Sequence, residues 1–457
     1  MQISIETIRA IWEAEVYNIS EGTSFNRLNV VHIREFETGN AGEGNELYFV
    51  VYEDNPKEEG WYINAFDRTI NISNLRHRSN IVFVVDNRVS DSNMSDLRYI
   101  RVPNVFLAID QLREYILSTT HPLVVRVTGS VGKTTTVAMI QSILSRQFEC
   151  GRIYSKRLTP LNLSSWIVNY LEPSHQVLCL EYSMYRHHHI EALTHILKPS
   201  VGLILNIKRV HLGVAGINTL LDIRDAKRSL VDNSEIAIIN ADDSLIASLK
   251  RKRDLTFSFT DDNADAFIES DSDVVSMRLN FTGQLVRFRP YVRTDLFYYQ
   301  SLASALVTSF IGIPAEVIAD TLNQFTPAEN RIGWITILGE KFLFDGDVTF
   351  AGRILALAEN RYSTSILLIA EFNFGEENVL LQVEDFSKVF DQFNEVRILD
   401  SHANREVLSH YRIRNCSLVS REQFLYEVSR FEFKVIHFGI YFRRYKGLGH
   451  LLTSIGV

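Results

Sequence analysis

The segment best suited to chemistry is Val127-Thr-Gly-Ser-Val-Gly-Lys-Thr-Thr-Thr136. An apolar run, LVVRVTG at 123–129, leads into it, and a helical pattern over 132–147 leads out. In a strand–loop–helix arrangement, glycines let backbone N–H groups come close to phosphate oxygens. The expected cradle is Gly129, Ser130, Val131, Gly132, Lys133, Thr134 and Thr135. The helix N-terminus adds a partial positive charge. Lys133 would reach the outer phosphates, and the Thr134 hydroxyl would ligate Mg²⁺. The strict spacing G-x-x-x-x-G-K-[ST] is not met, because Val127 stands where the first glycine would be. A phosphate loop alone does not separate a ligase from a kinase or a GTPase.

Further segments follow in an informative order. They are Thr159-Pro-Leu-Asn162, a strand ending at Glu181, Asn206-Ile-Lys-Arg-Val-His211, the pair Ala226-Lys227, and Asn240-Ala-Asp-Asp243. Arg331 and then Phe344-Asp345 come last. Together with the phosphate loop this series resembles the Mur ligase family, most closely the branch that adds a D-alanyl-D-alanine dipeptide. The resemblance runs the length of the chain and is strongest in its middle. It implies an α/β, three-domain Mur ligase architecture with a central P-loop parallel-sheet domain. It implies an ATP-dependent ligase that joins a carboxylate to an amine through an acyl-phosphate. By the same resemblance Thr134, Glu181 and His211 hold Mg²⁺, and Lys227 is carbamoylated. Asn240, Arg331 and Asp345 contact ATP, while Asn162 and His187 face substrate. Lys133, Lys227 and His211 are the expected catalytic set.

Each of these residues has a physical rationale and a plainer reading. Phosphoryl transfer to a carboxylate brings two anions together, so neutralising charge is the main task. Mg²⁺ favours oxygen ligands, which suits Glu181 and Thr134 better than His211. A carbamate on Lys227 requires an amine of depressed pKa. The plainer reading of Glu181 is a surface acid, and of His211 a satisfied loop residue; the place of Glu181 beside the phosphate loop favours the functional one. Lys227 sits among Arg224, Asp225 and Arg228, as a solvated charged face would. The tract His187-His188-His189 cannot easily ligate one ion, because neighbours on a helix point apart. It reads as a mostly exposed helix start. Arg331 and Asp345 could form a simple ion pair.

The sequence departs from the family at its substrate ends. The first domain carries no D-S-R triplet over 30–40. Asp345 is followed by Gly-Asp-Val-Thr-Phe-Ala-Gly352 rather than D-x-x-x-N-P, and His437-Phe-Gly-Ile440 stands where the family ends a strand in K-G-S. These departures point to a different acid and amine, and so to a ligase of specialised metabolism. The rivals are a cell-wall UDP-muramoyl peptide ligase, a polymerising relative, a kinase, and a non-catalytic nucleotide-binding protein.

The elements that would position these residues alternate in type. Strand-like runs fall at 47–52, 81–86, 123–129, 176–182, 201–207, 235–241, 365–371, 395–400 and 434–440. Helical patterns fall at 105–118, 132–147, 188–197, 217–231 and 299–311, and a hairpin at 334–345. Apolar strands alternating with helices predict a parallel sheet covered on both faces. The expected domains are 1–118, an N-terminal substrate-binding α/β domain, 119–328, a central ATP-binding P-loop domain, and 329–457, a C-terminal Rossmann-like domain.

Composition sets the outer bounds. The chain has 457 residues, 46% hydrophobic and 22% charged, with a net charge of −8. An acidic balance excludes a general nucleic-acid binder. Three scattered cysteines without a C-x-x-C pair exclude a cysteine zinc site and fit a reducing compartment. No signal-peptide pattern and no long apolar run is present, so a cytoplasmic protein acting on small molecules is expected, without a membrane partner.

Overall fold

The structure is a computed structural model. It describes residues 2–29, 44–51, 69–151, 158–184, 186–209, 212–213, 215–327, 332–345, 360–372, 389–410 and 415–437. His211, Arg331 and the stretches 30–40, 346–352 and 438–440 lie outside the described residues. Contacts divide the chain into two units. One comprises Met1–Val125, Phe148–Leu180 and Glu191–Pro199; the other comprises Arg126–Gln147, Glu181–Ile190 and Ser200–Val457.

The first unit holds β1 (Ile3–Ser4), β2 (Glu15–Tyr17), β3 (Ser24–Asn29), β4 (Asn45–Phe49), β5 (Ile81–Val85) and β6 (Tyr99–Arg101). They form a sheet in the order β1-β3-β4-β5-β6-β2. Its middle is parallel, and β5 is buried at every position. That explains the unbroken apolar run Ile-Val-Phe-Val-Val, since a covered parallel strand has no solvent face. The helix Val105–Thr120 starts where Asn104 accepts hydrogen bonds from the Phe106 and Leu107 N–H groups. A helix at Pro160–Tyr170 falls where the sequence pattern predicts none. Thr159 caps it and Pro160 opens it. Its middle is buried nearly all round, Ser164 and Ser165 included, and these buried serines break the apolar helical period. Ser164 on this helix accepts from Arg113, and Asn169 accepts from the Leu28 N–H.

The second sheet contains β7 (Leu123–Thr128), β8 (Val177–Glu181), β9 (Val201–Ile204), β10 (Ile236–Asn240), β11 (Leu255–Ser258), β12 (Ala266–Asp271), β13 (Val275–Leu279) and β14 (Gln284–Phe288). Its order is β14-β13-β12-β11-β10-β9-β7-β8. The expected alternation of strand and helix fails after β10. Four strands follow almost in series, and β12, β13 and β14 pair antiparallel. β12 mixes Glu269, Ser270 and Asp271 into its run and is half-exposed, so it lacks the apolar signature of the inner strands. The helix Asp295–Ile311 is capped by Thr294 and starts four residues before the pattern predicts.

The third sheet runs in the order β15-β16-β20-β17-β18-β19. Its strands are β15 (Ile332–Ile337), β16 (Glu340–Asp345), β17 (Ser365–Ile369), β18 (Glu395–Leu399), β19 (Ser417–Val419) and β20 (Phe433–His437). The predicted hairpin is present. Leu338 and Gly339 turn it with φ of 51° and 82°, the left-handed pair that a two-residue turn needs to match strand twist. No helix among the described residues is long and apolar enough to cross a membrane.

Candidate active site

The phosphate loop leaves the carboxyl end of β7. The Thr128 carbonyl accepts from the Leu205 N–H, and the Val127 carbonyl accepts from the Tyr182 N–H. Side chains after these three neighbouring segments therefore converge on one edge of the sheet, where open α/β folds bind ligands. Gly132, at φ 87°, turns the chain into the helix Lys133–Leu144. Only glycine takes that conformation without strain. A Cβ on Gly132 would also lie 2.7 Å from the Gln300 side-chain nitrogen.

The loop is braced from behind by Asn206, which is 7% exposed. Its Oδ1 accepts from the Ser130 and Val131 N–H groups at 3.1 and 3.0 Å, and its Nδ2 donates to the Val131 carbonyl. The Ser130 hydroxyl donates to the Lys208 carbonyl and accepts from the Lys208 N–H. Ser130 and Val131, expected to line the phosphate cradle, thus turn their N–H groups to protein. The Thr136 N–H donates to the Gly132 carbonyl and begins the helix's own ladder, so the N–H groups just before it form the helix N-terminus, where an anion is best placed. The Lys133 ammonium folds onto the carbonyls of Gly129 and Ser130.

Thr134, Glu181 and Lys227 meet beneath this turn. The Thr134 hydroxyl donates to Glu181 Oε2 at 2.6 Å, and Ser183 donates to Glu181 Oε1 at 3.1 Å. Adjacent oxygens around a Mg²⁺ ion with bonds near 2.1 Å lie about 3 Å apart, so a small widening of the Thr134–Glu181 contact fits that ion. No group of three or more His, Cys, Asp or Glu side chains that could hold a metal occurs among the described residues. A Mg²⁺ ion here would keep several waters, as it commonly does.

Lys227, on the helix Leu220–Asn233, is 2% exposed, with its ammonium 3.4 Å from the Thr128 hydroxyl. The solvated-face reading therefore fails for it. Burial, reinforced by the Lys133 charge, holds its pKa well below the ordinary lysine value, while Glu181 pulls the other way.

Other expected residues stand elsewhere. The Asn240 amide donates to the Leu205 carbonyl and accepts from the Asp242 N–H, so both its ends are engaged. Asp243 caps the short helix Ser244–Ala247 and accepts from the Ile207 N–H. His187 approaches the Gly216 carbonyl at 3.2 Å. His189 is buried, at 2% exposure, contrary to the exposed helix start expected for the tract. Asn162 lies in the first unit, its N–H donated to the Thr159 hydroxyl. Asp345 closes β16 opposite His437 of β20; its side chain, His211 and Arg331 lie outside the described set.

Two contributors carried no role in the sequence reading. Asn206 reaches the loop from 75 residues away and Gln300 from 168. An asparagine directly after an apolar strand was the available signal for the first; nothing local marks the second. On the same helix as Gln300, Asp295, Tyr298 and Tyr299 line a cavity of about 700 Å³ together with Asp242, Asp271 and Arg361. Phe259 and Tyr299 stack there at 3.8 Å.

Residues 127–293 match the Mur ligase middle domain. The UDP-N-acetylmuramoyl-tripeptide–D-alanyl-D-alanine ligase of Buchnera aphidicola subsp. Baizongia pistaciae is 29% identical over 254 residues, which cover 50% of this chain and 52% of that enzyme. The matched stretch thus spans about half of that relative. Among solved structures, MurF from Acinetobacter baumannii superposes with a TM-score of 0.74 at 18% identity, covering 100% of this chain and 99% of that one. MurF from Thermotoga maritima, in complex with ADP, gives 0.66 at 18% identity over 90% and 95%. At these identities the structural likeness speaks for fold, and the fold is the three-domain Mur ligase architecture.

Proposed function

We propose, for a chain whose middle domain is that of the Mur ligases, that it is an ATP-dependent ligase forming an amide bond between a carboxylate and an amine. The observation that carries this reading is the meeting of Thr134, Glu181 and Lys227 under one phosphate loop. Gly132 and the first turn of the following helix face N–H dipoles toward the outer phosphates. Lys133 swings from the Gly129 and Ser130 carbonyls to the same phosphates. Thr134 and Glu181 would hold Mg²⁺, which supplies neutralisation of charge on the transferring phosphoryl group. The substrate carboxylate then attacks the γ-phosphorus, ADP departs, and the amine displaces phosphate from the acyl carbon.

Lys227 enters this reading as a carbamate. Burial lowers the Lys227 pKa, which favours the neutral amine over the ammonium. Its nitrogen adds to CO2 and loses a proton, converting a cation that would repel Mg²⁺ into an anion that supports it. His211, Arg331 and Asp345 remain assigned to metal and ATP by resemblance, and Asn162 and His187 to substrate.

The acid is best read as a UDP-muramoyl peptide and the pathway as cell-wall precursor synthesis. Support comes from relatives named for that substrate. A ligase redirected to another acid and amine rests on the altered substrate motifs around 30–40, 346–352 and 437–440. ADP release should require ATP, Mg²⁺, UDP-muramoyl tripeptide and D-alanyl-D-alanine together. Hydroxylamine should trap the acyl-phosphate as a hydroxamate before the amine is added. ADP release with that acid replaced by others, and none with it, favours redirection. ADP release without any acid removes the ligase reading altogether.

A further inference from the structure

We infer that Gln300 is a positioning residue for the nucleotide, acting through the peptide between Gly132 and Lys133; this rests on the ligand reading of the phosphate loop given above. Gln300 belongs to the helix Asp295–Ile311 and is 1% exposed. Its Nε2 donates to the Gly132 carbonyl at 3.0 Å. Since that partner is an acceptor, the amide must present its nitrogen there. The same carbonyl accepts from the Thr136 N–H and the Thr136 hydroxyl, each at 3.0 Å.

Three donors on one oxygen are one more than its two lone pairs ordinarily serve. They do two things to the peptide. They fix its plane, and because the unit is planar and trans, the Lys133 N–H must point away from Gln300. They also draw electron density toward the oxygen, which makes that N–H a stronger donor. This N–H opens the helix, where an anion is best placed. Leu296, one turn earlier on the same helix, packs against Val131. Val131 is in turn held by Asn206. The loop is thus clamped between Asn206 on one side and Gln300 on the other. Gln300 never touches the phosphate; it aims the group that does.

The test compares wild type, Gln300→Met and Gln300→Glu. Methionine keeps the length and removes the donor. Glutamate replaces the donor with an acceptor facing a carbonyl. Calorimetry measures MgADP and adenosine dissociation constants, and unliganded thermal midpoints are recorded beside them. The expected MgADP affinities fall about tenfold for methionine, near the net value of one hydrogen bond, and further for glutamate. Adenosine, which has no phosphate, should bind all three proteins alike. Equal MgADP affinity in wild type and Gln300→Met overturns the inference. So does an affinity order that follows the thermal midpoints, or a parallel loss for adenosine, because either marks a merely structural role. If methionine does not fold, the glutamate variant decides by the same criteria. Wild type that binds no MgADP removes the nucleotide reading itself, which is a different failure.

Discussion

The helix Asp295–Ile311 borders two polar regions that look alike in composition and differ in physics. Under the phosphate loop, Glu181, Lys227, Asn206 and Gln300 are nearly dry, at 7%, 2%, 7% and 1% exposure. Around the neighbouring cavity, Asp242, Asp271, Asp295 and Arg361 sit in wetter surroundings and answer one another. Arg361 binds Asp295 at 2.7 Å and lies 3.7 Å from Asp271. Asp242 accepts from Ser258, Thr260 and Tyr299. The second region has more charge, yet its charges are met by Arg361, by hydroxyls and by a high dielectric. The first has fewer, but burial makes each one consequential. Chemistry is therefore expected where water has been excluded, and structure where it has not.

Four substitutions break or sharpen that contrast. The largest effect belongs to Lys133→Ala, which should lower kcat/KM by about 10³-fold, with the unliganded urea midpoint nearly unchanged, because the lost charge acts on the transition state. An intact rate would place the phosphoryl chemistry elsewhere. Asn206→Ala comes next. It leaves the Val131 N–H without its acceptor in a buried setting, so denaturant unfolding should show a loss of about 2 kcal/mol. A loss near zero would mean the loop holds its shape unaided.

Lys227 supplies the third. Its folded pKa is depressed, so below the unfolded value of 10.5 the unfolded chain binds a proton that the folded one does not. Stability must then rise with pH from the folded pKa up to that value, by at most about 1.4 kcal/mol per pH unit. In bicarbonate-free, Mg²⁺-free buffer, Lys227→Met should flatten this rise just below the unfolded value of 10.5. Identical slopes in the two proteins would show that Lys227 is charged and solvated after all. The smallest effect is that of Arg361→Gln. With Arg361 and Asp295 at 43% and 24% exposure, the pair is worth roughly 0.5 kcal/mol and should vanish in molar salt. A loss several times larger that survives salt would erase the distinction between the two regions.

The same contrast explains how much the sequence disclosed. The loop at 127–136 and the strand end at Glu181 were legible because their signals are local: an apolar run, glycines, then a lysine opening a helix. The burial of Lys227 was not, since its helix carries Arg224, Asp225 and Arg228 beside it. The roles of Asn206 and Gln300 were hidden for another reason, as both act across long sequence separations, and only Asn206 had a local mark, its place directly after an apolar strand. In the fold, the inner strands announced themselves by unbroken apolar runs. The extension from β11 to β14 did not: β11 is short and half polar by residue type although buried, and β12 and β14 are partly exposed and carry mixed residues. The helix at 160–170 was missed because burial on nearly every side takes in Ser164 and Ser165, so polar residue types no longer mark a solvent face.

One consequence of the Asn206 brace reaches beyond the loop itself. With the amides of Ser130 and Val131 turned inward, a nucleotide bound as proposed would be gripped by its tail rather than along its length. Affinity should then climb steeply with each phosphate added at the far end, and a spent nucleotide would loosen as soon as its last phosphoryl group has gone. On that reading, the loop that takes up the fuel would itself release the ash, with no separate device to evict product.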